Sequence, residues 1–135
     1  MSYGLAAALQ AAIYARLLAD EGLAALLGAA VYDALPEGDL PALYVVIGPE
    51  EVRDASDAGG RGAEHRVQVA VIGQMDAFGP VKAAAAAVSD ALDGADLALS
   101  RGRLVGIWFQ RAEARRRELG RLRRIDLTFR ARTEV

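Results

Sequence analysis

The residues of this chain whose types and spacing most invite chemistry fall between positions 50 and 65. His65, the single histidine, directly follows Glu64, and such a pair can in principle supply a general acid and a general base. Both lie where a Gly-rich segment runs into an alternating apolar stretch, so they enter a strand, where adjacent side chains project from opposite faces. The pair is poorly placed to cooperate, and His65 reads as a structural or interface histidine. Glu50, Glu51, Asp54 and Asp57 gather four carboxylates, the material of a calcium site. They lack the ligand spacing and closing Glu of an EF-hand loop, and read instead as a solvated or interface loop. Gly59, Gly60 and Gly62 surround Arg61 as a phosphate cradle would, but no Lys-Ser/Thr pair follows, and a strand comes next rather than a helix. Ser56 and Ser89 have no nearby histidine to activate them as nucleophiles. No enzymatic activity, cofactor or metal is expected.

The remaining candidate is electrostatic. Arg115, Arg116, Arg117, Arg121, Arg123 and Arg124 crowd ten positions near the C-terminus. They could meet nucleic acid, each neutralised phosphate adding salt-sensitive affinity. The segment has no interleaved aromatics for base stacking and matches no nucleic-acid-binding module, which favours a solvated hairpin or a protein interface. The net charge of −2 conceals a division: residues 1–99 hold five basic and fourteen acidic side chains (−9), residues 100–135 eleven basic and four acidic (+7). Separated charge of this kind can attract phosphate, or equally the acidic side of a neighbouring copy. The acidic pI of about 5.4 favours the neighbour.

At 135 residues the chain fits one domain, residues 1–135, with a substantial core. Its 53% hydrophobic content is inflated by alanine. No window reaches the roughly 20 apolar residues needed to span a bilayer, so no membrane association is expected, and no signal peptide is evident. The lack of cysteine excludes disulfides, thiolate metal sites and a Cys nucleophile, and one histidine cannot form a two-His metal centre.

The elements that must position these residues follow from periodicity. Ser2 is a plausible N-cap for an amphipathic helix whose Leu5, Leu9, Ile13 and Leu17 recur every four residues. Asp20, Glu21 and Gly22 interrupt it, and residues 23–27 add a short helical turn before a brief strand near 31–34. Two apolar runs, 43–48 and 65–73, flank a polar, Gly-rich loop that is long beside the usual connection of roughly 4–6 residues. Val67, Val69 and Val71 alternate with polar or small residues, the mark of a half-buried strand. Asp76 can cap the next helix, Pro80 suits its first turn, and Gly94 lies where its C-cap belongs. Ile125, Leu127, Phe129 and Ala131 face one way and Arg124, Asp126, Thr128, Arg130 and Arg132 the other. Residues 104–109 are strand-like, with Trp108 and Phe109 expected to pack on the helices, whereas 111–119 contains strong helix formers. We assign a strand that continues into a hairpin turning at Glu118, Leu119 and Gly120; twelve such residues reach about 40 Å. The fold class is α+β: two main helices on a largely antiparallel four- to five-stranded sheet, with a long loop and a protruding C-terminal β-hairpin.

With these elements placed, the chain resembles the tail terminator (tail completion) proteins of long-tailed phages and gene transfer agents. The resemblance runs through LAAALQAAIYARL, VYDALPEGDLPALYVVIGPE, GRGAEHRVQVAVI and KAAAAAVSDAL to RGRLVGIWFQRAE and RRIDLTFRART. It implies a structural protomer without catalytic activity that forms a homo-hexameric ring on the finished tail tube. The ring would halt polymerisation and present a joint to the head connector or adaptor protein. It further implies the major tail tube protein as partner, transient passage of DNA through the ring, assembly in the bacterial cytoplasm and final residence in the virion. By position, residues 54–65 become a loop that orders in the ring. The hairpin around Arg115–Arg124 contacts tail or connector proteins, or lines the channel. The expected subunit or partner interface is Asp54, Asp57, Arg61, Glu64, His65, Arg115, Arg116, Arg117 and Arg121.

Overall fold

The computed structural model describes residues 3–135, so the expected cap at Ser2 lies outside the described residues. The order is α1 (Ala6–Ala19), α2 (Glu21–Leu27), β1 (Val31–Tyr32), β2 (Leu43–Asp54), β3 (Gly62–Gly73), α3 (Gly79–Leu92), β4 (Arg103–Arg117) and β5 (Leu122–Glu134). The strands form one open sheet in the order β1-β2-β3-β5-β4. Only β1 pairs in parallel, with β2; every other pairing is antiparallel. This is the α+β class expected, with the short α2 as a third helix on the sheet.

All three helices contribute to one core against one sheet face. Leu9, Ile13 and Leu17 of α1 and Val81, Ala84, Val88 and Leu92 of α3 meet Val45, Val67, Val69, Val71, Ile107, Leu127 and Phe129. The period-2 strand patterns and four-residue helix spacing therefore describe the same buried layer from its two sides. Asp20 caps α2 by accepting a hydrogen bond from Leu23 N–H at 2.8 Å, which is why the chain breaks and restarts there. Phe78, not Asp76, holds the N-cap position of α3 and offers no side-chain cap; Pro80 lies in the first turn as expected. Close approach of α3 to the sheet depends on Gly73, where a Cβ would lie 2.5 Å from Val81 Cγ2.

The opposite face is covered only at one corner, where Ala30, Tyr44, Ala70 and Ile72 are buried with help from Tyr32, Leu40 and Leu122. Tyr44 is 5% exposed, and burial raises its pKa above 10.0, with nearby Arg124 opposing and Glu118 reinforcing the shift. The native phenol thus keeps a proton that the unfolded chain releases. Its contribution is complete below pH 10 and is lost as the pH rises through the higher native pKa. Unfolding free energy measured against pH should fall less steeply on the alkaline side for Tyr44→Phe than for the parent.

The segment between residues 43 and 73 departs from expectation. The strands do not stop at Gly48 and begin again at His65. β2 bulges between Ile47 and Glu50, passes Pro49, and continues to Asp54, while β3 begins at Gly62. Glu51↔Arg66, Val52↔His65, Arg53↔Glu64 and Asp54↔Ala63 are paired positions. The connection is therefore residues 55–61, a structured turn closed by the Asp57↔Gly60 bridge. Charged side chains and a proline disguise the extension in sequence, yet both are tolerated on the outer edge of a sheet.

Candidate assembly surfaces

The expected interface residues separate into three environments. The first is the interior. His65 is fully buried, with Nε2 2.9 Å from Thr133 Oγ1 and Nδ1 3.3 Å from Glu50 Oε2. With a proton on Nδ1, the ring donates to the Glu50 carboxylate, and Nε2 without one accepts from the Thr133 hydroxyl. This corrects His65 as a contact residue: its ring is enclosed within the protomer and ties β3 to β5 and β2. Glu64, on the opposite sheet face, lies 3.7 Å from Arg130 rather than cooperating with His65.

The second environment is the 55–61 turn. Gly59 N–H donates to Asp57 Oδ1 at 2.8 Å, Ser56 Oγ donates to Asp54 Oδ1 at 2.8 Å, and Arg132 bonds the Ala55 carbonyl at 3.1 Å. Arg132 also lies 3.5 Å from Asp57. The turn is thus hydrogen-bonded within the protomer, and the connection is shorter than the composition suggests. Among the described residues no cluster of His, Cys, Asp and Glu is arranged to hold a metal.

The third is the β4–β5 hairpin. Its positive charge is less available than the sequence suggests. Arg115 and Arg111 both pair with Glu113, and the Arg115 hydrogen bond is the main reason that the exposed Glu113 carboxyl titrates below its ordinary range. Arg124 pairs with Asp126 at 2.9 Å. Arg123 is buried: it donates to the Asp76 carbonyl at 2.6 Å and stacks 5.3 Å from the Phe78 ring centroid, fastening the hairpin to the chain entering α3. The side chains of Arg116, Arg117 and Arg121, by contrast, make no ion pair or hydrogen bond among the described residues.

Two further placements were not legible in sequence. Trp108 turns away from the helices and stacks with Arg130, whose guanidinium lies 4.7 Å from its ring centroid, correcting the expectation that it packs on them. Phe109 does face the helix side, edge-on to Phe129 at 6.0 Å, while remaining 41% exposed. The bulge between Phe109 and Arg111 accounts for this irregular alternation. The hairpin turn forms as expected, and at its end Leu119 is 99% exposed. β5 pairs with β3 from Arg123 to Glu134, so the hairpin forms the sheet's outer edge and extends past it only through the turn at 118–121. On the far side, the outer surface of α1 and the β1–β2 edge enclose a cleft of about 500 Å³ lined by Ala6, Ala7, Ala11, Tyr14, Asp33 and Glu50.

An open sheet backed by helices, with a paired arginine edge on one side and an acid-rimmed cleft on the other, is the construction of a small structural module that offers surfaces to other proteins. The family model for tail completion protein gp17 matches residues 11–134, and the chain belongs to that family. A chain in the solved structure of the virion of a native gene transfer agent particle is similar at 62% identity, with a TM-score of 0.94. The match covers 98% of this chain and 99% of that one. No curated protein matches. The resemblance drawn from sequence is therefore sound at the level of family and fold. Among the described residues no helix is long and apolar enough to cross a membrane.

Proposed function

We propose that this protein is the tail terminator of a phage-like gene transfer particle: a ring, six-fold by the family resemblance, that caps the tail tube, ends its polymerisation and forms the joint to the head connector. The observation that carries this reading is the near-complete match to a chain of a gene transfer agent virion at 62% identity. Ring closure requires heterologous contacts, in which two different patches of each protomer meet. Two separate groups of residues are available for such contacts: Asp54, Asp57, Arg61 and Glu64 lie toward one end of the sheet, where Arg130 and Arg132 already offset part of the negative charge, and Arg115, Arg116, Arg117 and Arg121 lie toward the other. The major tail tube protein and the connector are the other partners, and DNA crosses the ring in transit.

Particles made without the protein should carry tubes of uncontrolled length. Adding it to purified tubes should place rings on tube ends by negative-stain microscopy. Tubes of normal length in its absence, or a protein that never joins tube ends, would remove the reading. The triple variant Arg116→Glu, Arg117→Glu, Arg121→Glu should weaken assembly by about tenfold or more, as like charges then face an acidic surface. Thermal unfolding should stay near the parent value, because none of the three side chains has a partner among the described residues; pelleting with tubes reads the first effect and calorimetry the second.

A further inference from the structure

Leu119 and the α1 cleft are, we infer, the two halves of one contact: Leu119 of one protomer seats between Ala7, Ala11 and Tyr14 of the next, with Arg117 and Arg121 over Asp33 and Glu50. This rests on the ring reading and adds to it the residues that join neighbouring copies.

The first observation is the turn itself. Glu118 and Leu119 take φ values of 51° and 56°, a region that suits Gly or Asn and that larger side chains rarely occupy. Leu119 is also 99% exposed, without an apolar neighbour to shelter it. A leucine there serves neither the backbone nor solubility, and a residue that violates both local rules points to a use outside the protomer. On either side stand Arg117 and Arg121, both exposed and without a partner among the described residues.

The cleft is complementary in each respect. Its floor is made of small α1 side chains, Ala7 and Ala11 being exposed, and Tyr14 forms a wall. Asp33 supplies an exposed carboxylate and Glu50 a second, mostly buried one that already meets His65; Tyr3 and Gln10 complete the lining, and among the described residues none of it is cationic. A second apolar groove, where Phe109, Ala112 and Leu127 meet α3, carries Lys82 and no carboxylate, so it would repel the same tip. The two features also belong to opposite edges of the sheet, the tip to β4–β5 and the cleft to the β1–β2 side. A head-to-tail contact that repeats around a ring needs this separation.

The cysteine-free chain makes the test direct. Leu119→Cys and Ala7→Cys proteins, mixed on tail tubes and oxidised, should give disulfide-linked dimers that neither gives alone, since a bridge requires Cα atoms within about 7 Å. The double variant should give a ladder ending at the ring. Leu119→Gly should raise the melting temperature by about 3 °C while weakening assembly about tenfold, the scale of one lost apolar anchor. Arg117→Glu and Asp33→Arg should each impair assembly, and together restore it. Rings that form without the cross-link and tolerate Leu119→Gly would overturn this contact and leave the ring reading standing. Wild-type protein that forms no rings on tubes would remove both.

Discussion

Phe129→Ala should lower the unfolding free energy by about 3–5 kcal/mol, the largest loss expected from a single substitution in this chain. Phe129 is fully buried in β5, between Val67 of β3 and Phe109 of β4 in the register. Its ring meets that of Phe109 nearly at right angles, an interplanar angle of 75°. Truncation removes the transfer energy of the ring and leaves a cavity beneath the helices, which β5, held between β3 and β4, cannot close. Against the total stability of roughly 5–15 kcal/mol usual for domains, a loss of this size should shift the urea midpoint strongly. Val105→Ala, at a position 41% exposed on the neighbouring strand, should change it by about 0.5 kcal/mol or less. Equal effects at the two positions would show that Phe129 is not at the centre of the core.

The second large effect should come from the polar contact inside that core. Thr133→Val keeps the shape of a fully buried side chain but takes the hydroxyl from His65 Nε2, itself fully buried. The stranded ring nitrogen costs about 1–3 kcal/mol. His65→Leu should cost a similar amount, since it orphans both the Thr133 hydroxyl and the hydrogen bond to Glu50. The double variant should then be less destabilised than the sum of the two, because no unpaired group remains between β3 and β5. Strict additivity, measured by equilibrium denaturation, would mean that the two residues do not form a working hydrogen bond. Thr133→Val lies far along β5 from the hairpin turn and touches neither the turn nor the cleft, so rings that still form with it at low temperature would separate stability from assembly.

The histidine marks how far sequence reasoning reached. Opposite projection of Glu64 and His65 follows from strand geometry alone, and the structure places the two on opposite faces. The histidine's partners are not legible in sequence: Thr133 lies 68 positions away, and Glu50 sits across a turn shorter than its composition suggests. The arginine cluster shows the same limit. Arg117 and Arg123 are indistinguishable as letters, yet one is exposed and the other is buried against Phe78 and the Asp76 carbonyl.

By itself the sequence determined the α1 and α3 faces, the alternation of β5 and the turn at Glu118–Gly120, since each is written in the types of residues a few positions apart. Secondary-structure period is a local property, and burial of one face follows from it. The tertiary structure alone decided that Glu50–Asp54 continue a strand rather than a loop, that Trp108 leaves the helices for Arg130, and which arginines are spent on Glu113, Asp126 and Asp76. Those outcomes depend on pairing and charge neutralisation between residues far apart in the chain, which no local pattern records. They also determine which surface remains for a neighbour: an exposed leucine between arginines at one edge, and a small acid-rimmed cleft at the other.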